Sequence, residues 1–240
     1  MLTQFRCTDN QTILIAKCLE ACRLTQRCLT RTTLRVVAQQ RPWDGIPHVT
    51  QLLNGTMLEF LKITRDYTIS PKSMAFALLG SSHHKLLEHK GSDNTVAELA
   101  LNNGWMQGTL DLLEVENDKL TITDYKVWGS NRLCRGGKFD PAQVDLSEVS
   151  LQMNAYRVML LQQHDMDIDY LQVQCTVRDG GLAIATKRGV TESMYMLPVA
   201  MLDNDIVVAF FKAKAEALHE ALAHKEQLPE PCSDAERWHG

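Results

Sequence analysis

The stretch that decides the fold is GTLDLLEVENDKLTITDYK, residues 108–126. Met106–Val115 and Lys119–Val127 are rich in β-formers, and the polar ENDK between them (116–119) reads as a hairpin turn. Alternate residues of a strand share a face, so Gln107, Thr109 and Asp111 point one way, and Asp124 and Lys126 share a face of the next strand. Charges on a core strand cost several kcal/mol each unless they are paired or bound to metal. Two carboxylates and an ammonium brought together suit a hard divalent cation, Mg²⁺ or Mn²⁺, with the lysine beside it to serve a metal-bound water.

Upstream, Ser73–His89 reads as a helix opened by SPKS. It places Gly80, His84 and Glu88 on one face, with His83 turned elsewhere. Downstream, the long polar loop 129–145 leads to a helix from Ser147, a residue able to cap it, to about His164, with Gln152 and Tyr156 one turn apart. DYLQVQCTV and LAIATK, flanking RDGG, read as a second hairpin, and a final amphipathic helix spans about Asn204–His224. Helices, a strand pair, a helix, another strand pair and a helix make a mixed α/β core.

The N-terminal end differs in charge. Residues 1–42 carry seven Lys/Arg and two Asp/Glu, a net +5, which leaves −9 for residues 43–240 in a chain of net charge −4. From Gln11 to Gln40 there is no Gly or Pro and the spacing predicts one long or two short helices, so Arg23, Arg27, Arg31 and Arg35 fall at four-residue intervals as a basic stripe. That stripe is either a phosphate-contacting ridge for DNA or a solvated face. RPWDGIPHV (41–49) marks the boundary between this basic helical arm (1–42) and the main body (43–240).

With 45% hydrophobic and 22% charged residues, the 240-residue chain has the composition of a soluble globular protein. No apolar run approaches the ~18 residues that cross a bilayer, and the opening residues lack a signal-peptide pattern, so the expected location is the cytoplasm. Seven cysteines without CxxC pairs read as reduced thiols, mostly small core residues. Cys18 and Cys22, on one helical face with no nearby His, read as packing. Trp105 and Trp128 bracket the strand pair, where they can pack at its rim or stack on bases.

Taken in order, G-x-x-x-H-x-x-x-E (80–88), G-T-L-D (108–111), D-Y-K (124–126) and Q-x-x-x-Y (152–156) resemble the RecB-type, phage exonuclease-like branch of the PD-(D/E)XK nuclease superfamily. The resemblance implies a restriction-endonuclease-like mixed central sheet flanked by helices. It implies metal held by His84, Asp111, Asp124 and the Tyr125 carbonyl, a catalytic Lys126, and Gln152 and Tyr156 organising the site and the DNA. Gly108 would allow close approach, and Glu88 would be an accessory. The chain departs from the pattern at Leu110, where proline is usual, and at Asp124, where glutamate is common. The iron–sulfur members carry one cysteine before the histidine motif and three after the Q-x-x-x-Y helix; here the tail offers Cys232 alone, so no iron–sulfur cluster is expected.

The implied activity is metal-dependent DNA hydrolysis, as an exonuclease in recombination, repair or phage DNA processing, in a bacterial or phage-infected cell. It could work as a homo-oligomer or with a recombination or repair partner. A structure-specific endonuclease on the same site, and a catalytically silent DNA-binding module using the arginines, remain the alternatives.

Overall fold

The computed structural model describes residues 1–88, 92–134 and 137–234. Among them the chain runs β1 (Leu2–Arg6), β2 (Thr12–Leu14), α1 (Ile15–Glu20), α2 (Arg31–Val37), α3 (Val49–Leu53), α4 (Thr56–Thr64), β3 (Tyr67–Ile69), α5 (Ala75–Glu88), β4 (Thr95–Asn102), β5 (Gln107–Glu116), β6 (Lys119–Trp128), α6 (Ser130–Leu133), α7 (Ser147–His164), β7 (Tyr170–Val177), α8 (Ala183–Lys187), β8 (Met194–Val199) and α9 (Asn204–Ala223). No helix among the described residues is long and apolar enough to cross a membrane.

The protein is mixed α/β, and its contacts divide it into two units. One holds Met1–Gly45, Asn54–Ser81 and the residues from Lys214 onward; the other holds Ile46–Leu53 and Ser82–Ala213. The grouping by contact therefore crosses the sequence boundary at 42/43.

The second unit is built on a sheet ordered β4-β5-β6-β7-β8, antiparallel except where β6 and β7 run parallel. Parallel neighbours need a crossover, and α7 supplies it. Val149, Met153, Ala155, Tyr156, Val158, Met159 and Leu160 of α7 are all buried, so this helix is enclosed on most sides. Its buried polar residues are satisfied. Asn154 Nδ2 donates to the Ala200 carbonyl (3.0 Å), Leu202 N donates to Asn154 Oδ1 (2.9 Å), and Arg157 Nη2 donates to the Leu202 carbonyl (2.6 Å). These bonds fix the connection from β8 to α9. Ser147 begins α7 but does not cap it; its hydroxyl donates to Asp145 Oδ1 (2.6 Å).

The hairpin β5–β6 forms where the sequence places it. Asn117 and Asp118, at φ 51° and 59°, make a two-residue turn with both centres in the left-handed region, whose twist matches that of the strands. Elsewhere the expectations change. LAIATK forms α8 with its preceding residue, because two alanines favour a helical turn and the Leu182 carbonyl accepts from Ala185 N and Thr186 N. The strand paired with β7 is β8, an edge strand that tolerates Pro198 because one side of its ladder is open. Strand β4 was not anticipated. Its ELAL core consists of helix formers, and pairing with β5 overrides that preference. The predicted helix from Ser73 starts as a 3-10 turn at Pro71–Met74 and continues as α5 to Glu88; His89 lies outside the described residues.

The first unit is not a helical arm. Its three-stranded sheet is ordered β2-β1-β3, with β1 antiparallel to β2 and parallel to β3. Between Ala21 and Thr30 the predicted helix gives way to irregular chain, and Thr30 caps α2 by accepting from Thr33 N (3.2 Å). Phe5, Cys18, Leu34 and Val37 form this unit's core.

Candidate metal and catalytic site

The site sits where β5 and β6 part. Their ladder holds from Glu116↔Lys119 to Leu112↔Thr123, and the next step would set Asp111 opposite Asp124. Two carboxylates face to face repel each other, and the backbone pairing stops there. The Tyr125 N–H instead donates to Asp111 Oδ2 (2.7 Å), which satisfies the strand while orienting that carboxylate. β6 keeps its full pairing with β7 on the other side, so Asp124, Tyr125 and Lys126 are held rigidly.

His84 on α5 reaches this opening. Its Nε2 is 2.9 Å from the Tyr125 carbonyl, and its Nδ1 is 3.4 Å from Asp111 Oδ1 and 3.9 Å from Glu98 Oε1. His84, Glu98 and Asp111 each offer a ligand atom within 4.8 Å of the other two. The hydrogen bond to Asp111, opposed by partial burial, holds the His84 imidazole above its usual pKa. The sequence reading passed over Glu98, because β4 was not recognised as a strand. It stands across from Asp111 with φ of 51°, a left-handed conformation that costs a non-glycine residue about 1 kcal/mol or more. Burial and the neighbouring Asp111 push its carboxyl up in pKa.

Asp124 belongs to a second cluster. It is 3% exposed, and Lys126 Nζ lies 3.0 Å from Oδ1 and 2.7 Å from Oδ2. Oδ2 nevertheless accepts no hydrogen bond of normal geometry. Burial pushes the Asp124 pKa up to about 6; Lys126 opposes that rise and Asp111 adds to it. Gln152 on α7 donates from Nε2 to Asp124 Oδ1 (3.3 Å) and to the Tyr156 hydroxyl (3.3 Å), while its Oε1 accepts from Lys126 Nζ (3.5 Å). Tyr156 is 3% exposed and lies against Gly108, where an added Cβ would come 2.6 Å from the ring. The glycine thus makes room for the tyrosine, and the buried tyrosine positions Gln152 from beneath.

Six of the expected residues therefore converge directly: His84, Asp111, Asp124, Tyr125, Lys126 and Gln152. Tyr156 supports them. Glu88, at the end of α5, is exposed but close enough to Glu98 to act on its charge. Gly80 has open space where a side chain would go. His83 turns to Thr176 Oγ1 (3.4 Å). Trp105 and Trp128 lie beneath cations, with Lys212 Nζ 5.9 Å and Arg132 Cζ 5.3 Å from their ring centres.

The arginines do not form a stripe, because the helix that would align them is interrupted. Arg23 ion-pairs with Asp9 and donates to Gln11 Oε1 (3.0 Å); Arg27 donates to the Cys18 carbonyl (2.7 Å); Arg31 donates to the Glu20 carbonyl (3.1 Å). Arg31 and Arg35 lie on α2, and Arg23 and Arg27 precede it.

No family model matches the chain, and no curated protein matches it. Among solved structures, the one described as the crystal structure of SSO0001 aligns over 78% of this chain and 82% of that chain at 16% identity, with a TM-score of 0.45.

Proposed function

We propose that this chain is a divalent-metal-dependent DNA nuclease of the PD-(D/E)XK type, with a restriction-endonuclease-like sheet, acting as an exonuclease. The observation that carries this reading is the meeting of His84, Asp111 and the Tyr125 carbonyl with a buried Asp124–Lys126 pair at the point where β5 and β6 separate. A surface ion-pair network has no need of a carboxylate buried to 3% exposure.

The donors fit Mg²⁺ or Mn²⁺: the His84, Glu98 and Asp111 side chains lie within reach of one ion with the Tyr125 carbonyl beside His84, and Asp124 would join them from its pair with Lys126. When bound, the cation supplies Lewis-acid stabilisation of phosphate charge and a more acidic water. His84 would serve as a ligand through a ring nitrogen freed of its proton; Nε2 lies beside the Tyr125 carbonyl and Nδ1 beside Asp111. Asp111 favours the protonated ring, so a proton and a cation would compete for it. Lys126 offers an ammonium, steadied by Asp124 and Gln152, to the oxygen on which charge develops during in-line attack on the phosphodiester. Gln152, held by Tyr156, keeps the acid and the lysine in register.

The test is cleavage of end-labelled linear single- and double-stranded DNA, and of covalently closed circles, with Mg²⁺, Mn²⁺ or chelator. Wild type should degrade linear DNA with either metal and leave closed circles intact, while Asp124→Ala should cleave neither substrate. Cutting of the circles would replace the exonuclease with an endonuclease on the same residues. Absence of cleavage under every condition, with DNA binding retained, would leave a silent DNA-binding module.

A further inference from the structure

Four free cysteines of the first unit stand on the turn after β1, on α1 and on the chain that leads to α2, among residues that the nuclease reading does not use. Cys7 follows β1 and opens the tight turn to β2. There Cys7 N donates to the Gln11 carbonyl (2.8 Å), Asn10 N donates to the Cys7 carbonyl (3.0 Å), and Asn10 takes φ of 64°. Cys18 lies on α1, which packs against β1 and β2, and is 7% exposed. Cys22 lies just past the end of α1, and Cys28, in the irregular chain before α2, packs into the same core as Cys18.

The arginines tie these pieces together. Arg23, next to Cys22, grips the Cys7 turn through Asp9 and Gln11, and Arg27, next to Cys28, holds the Cys18 carbonyl. Burial raises the Cys18 thiol pKa, and Cys7, Cys28 and Cys22 each add to the rise, so all three lie within electrostatic reach of its sulfur. Packing cysteines are usually among the most buried residues of a protein. Three of these four are only half-buried, and two stand on a segment with no regular structure to hold it.

We propose that Cys7, Cys18, Cys22 and Cys28 form a four-thiolate site for a soft metal centre that staples the first unit. Cys18 and Cys22, with three residues between them, have the spacing of paired zinc ligands. Four thiolates on a dication leave a charge of about −2; Arg27, on the Cys18 carbonyl, offsets part of it. Among the described residues, no three of these sulfurs lie within 4.8 Å of one another. A single Zn²⁺, with Zn–S of about 2.3 Å, would require them to draw closer, whereas a polynuclear iron–sulfur centre stands between its thiolates and holds them apart. Both use the same four ligands.

The test is metal analysis and absorption spectroscopy of the full chain purified anaerobically without chelator, followed by Co²⁺ titration of metal-free protein. Cys22→Ser and Cys28→Ser, at half-buried positions, are compared with a Cys232→Ser control. The expected result is either one colourless Zn²⁺ per chain, or iron with acid-labile sulfide and brown charge-transfer absorption. Metal content should fall about tenfold or more in Cys22→Ser and Cys28→Ser and stay unchanged in Cys232→Ser. Co²⁺ should give the intense bands of tetrahedral thiolate coordination in wild type. Wild-type protein with neither metal and no cobalt–thiolate spectrum would overturn the proposal, as would full metal content in Cys22→Ser and Cys28→Ser.

Discussion

The two units present their chemistry on different kinds of backbone. In the second, His84, Glu98, Asp111, Asp124 and Lys126 come from one helix and three adjacent strands, and oxygen donors predominate. In the first, four thiols stand on a turn, a six-residue helix and an irregular loop, tied together by arginines. A paired sheet holds its side chains in place whether or not a ligand is present. A loop site depends on its ligand for order, so its metal binding is coupled to folding. Loss of metal should therefore silence the second unit while leaving it folded, and should loosen the first.

The sharpest break of that contrast would come from Lys126→Ala. It should lower turnover by about 10²–10³-fold while Mn²⁺ binding, followed by electron paramagnetic resonance, stays near wild type. A variant that cleaved at the full rate would remove the lysine from the chemistry. A smaller effect is expected at Gly108, where the site depends on packing. Gly108→Ala sets a methyl against the Tyr156 ring and should cost about 1–3 kcal/mol in urea unfolding, with a further loss of activity as Gln152 shifts. Unchanged stability there would mean that the tyrosine is free to move.

The smallest effect concerns Asp124 in metal-free protein. Burial pushes its carboxyl up to about 6 in the folded protein, against an ordinary 3.8. Above pH 6 the folded state carries a buried charge that the unfolded chain exposes to water, and that penalty falls as pH drops through the window between the two values. Asp124→Asn should therefore be more stable than wild type by about 1–2 kcal/mol at pH 8, the gain fading towards pH 4. A variant less stable than wild type at pH 8 would show that the pairing with Lys126 outweighs the burial.

Much of the second unit was legible because periodicity carries it. The i, i+2 spacing of Asp124 and Lys126, the i, i+4 spacing of Gln152 and Tyr156, and the Asn117–Asp118 turn each map a short run of sequence onto one surface. Glu98 was hidden because its strand is written in helix formers, and only pairing with β5 gives it an extended course. Residues 11–40 misled in the opposite sense. Their spacing is helical, but the segment between Ala21 and Thr30 follows contacts with Asp9, Gln11 and Cys18 instead of its own i, i+4 bonds.

By itself, then, the sequence determined the β5–β6 hairpin, helix α7 and the order of the site residues along the chain, since these rest on local propensity and on repeats of two and 3.6 residues. Tertiary contacts alone set that β5 and β6 part at Asp111, that Glu98 comes within reach of it, that Tyr156 lies against Gly108, and that Cys28 packs into the same core as Cys18. Those outcomes depend on repulsion, close packing and loop closure between distant residues, none of which leaves a period in the chain.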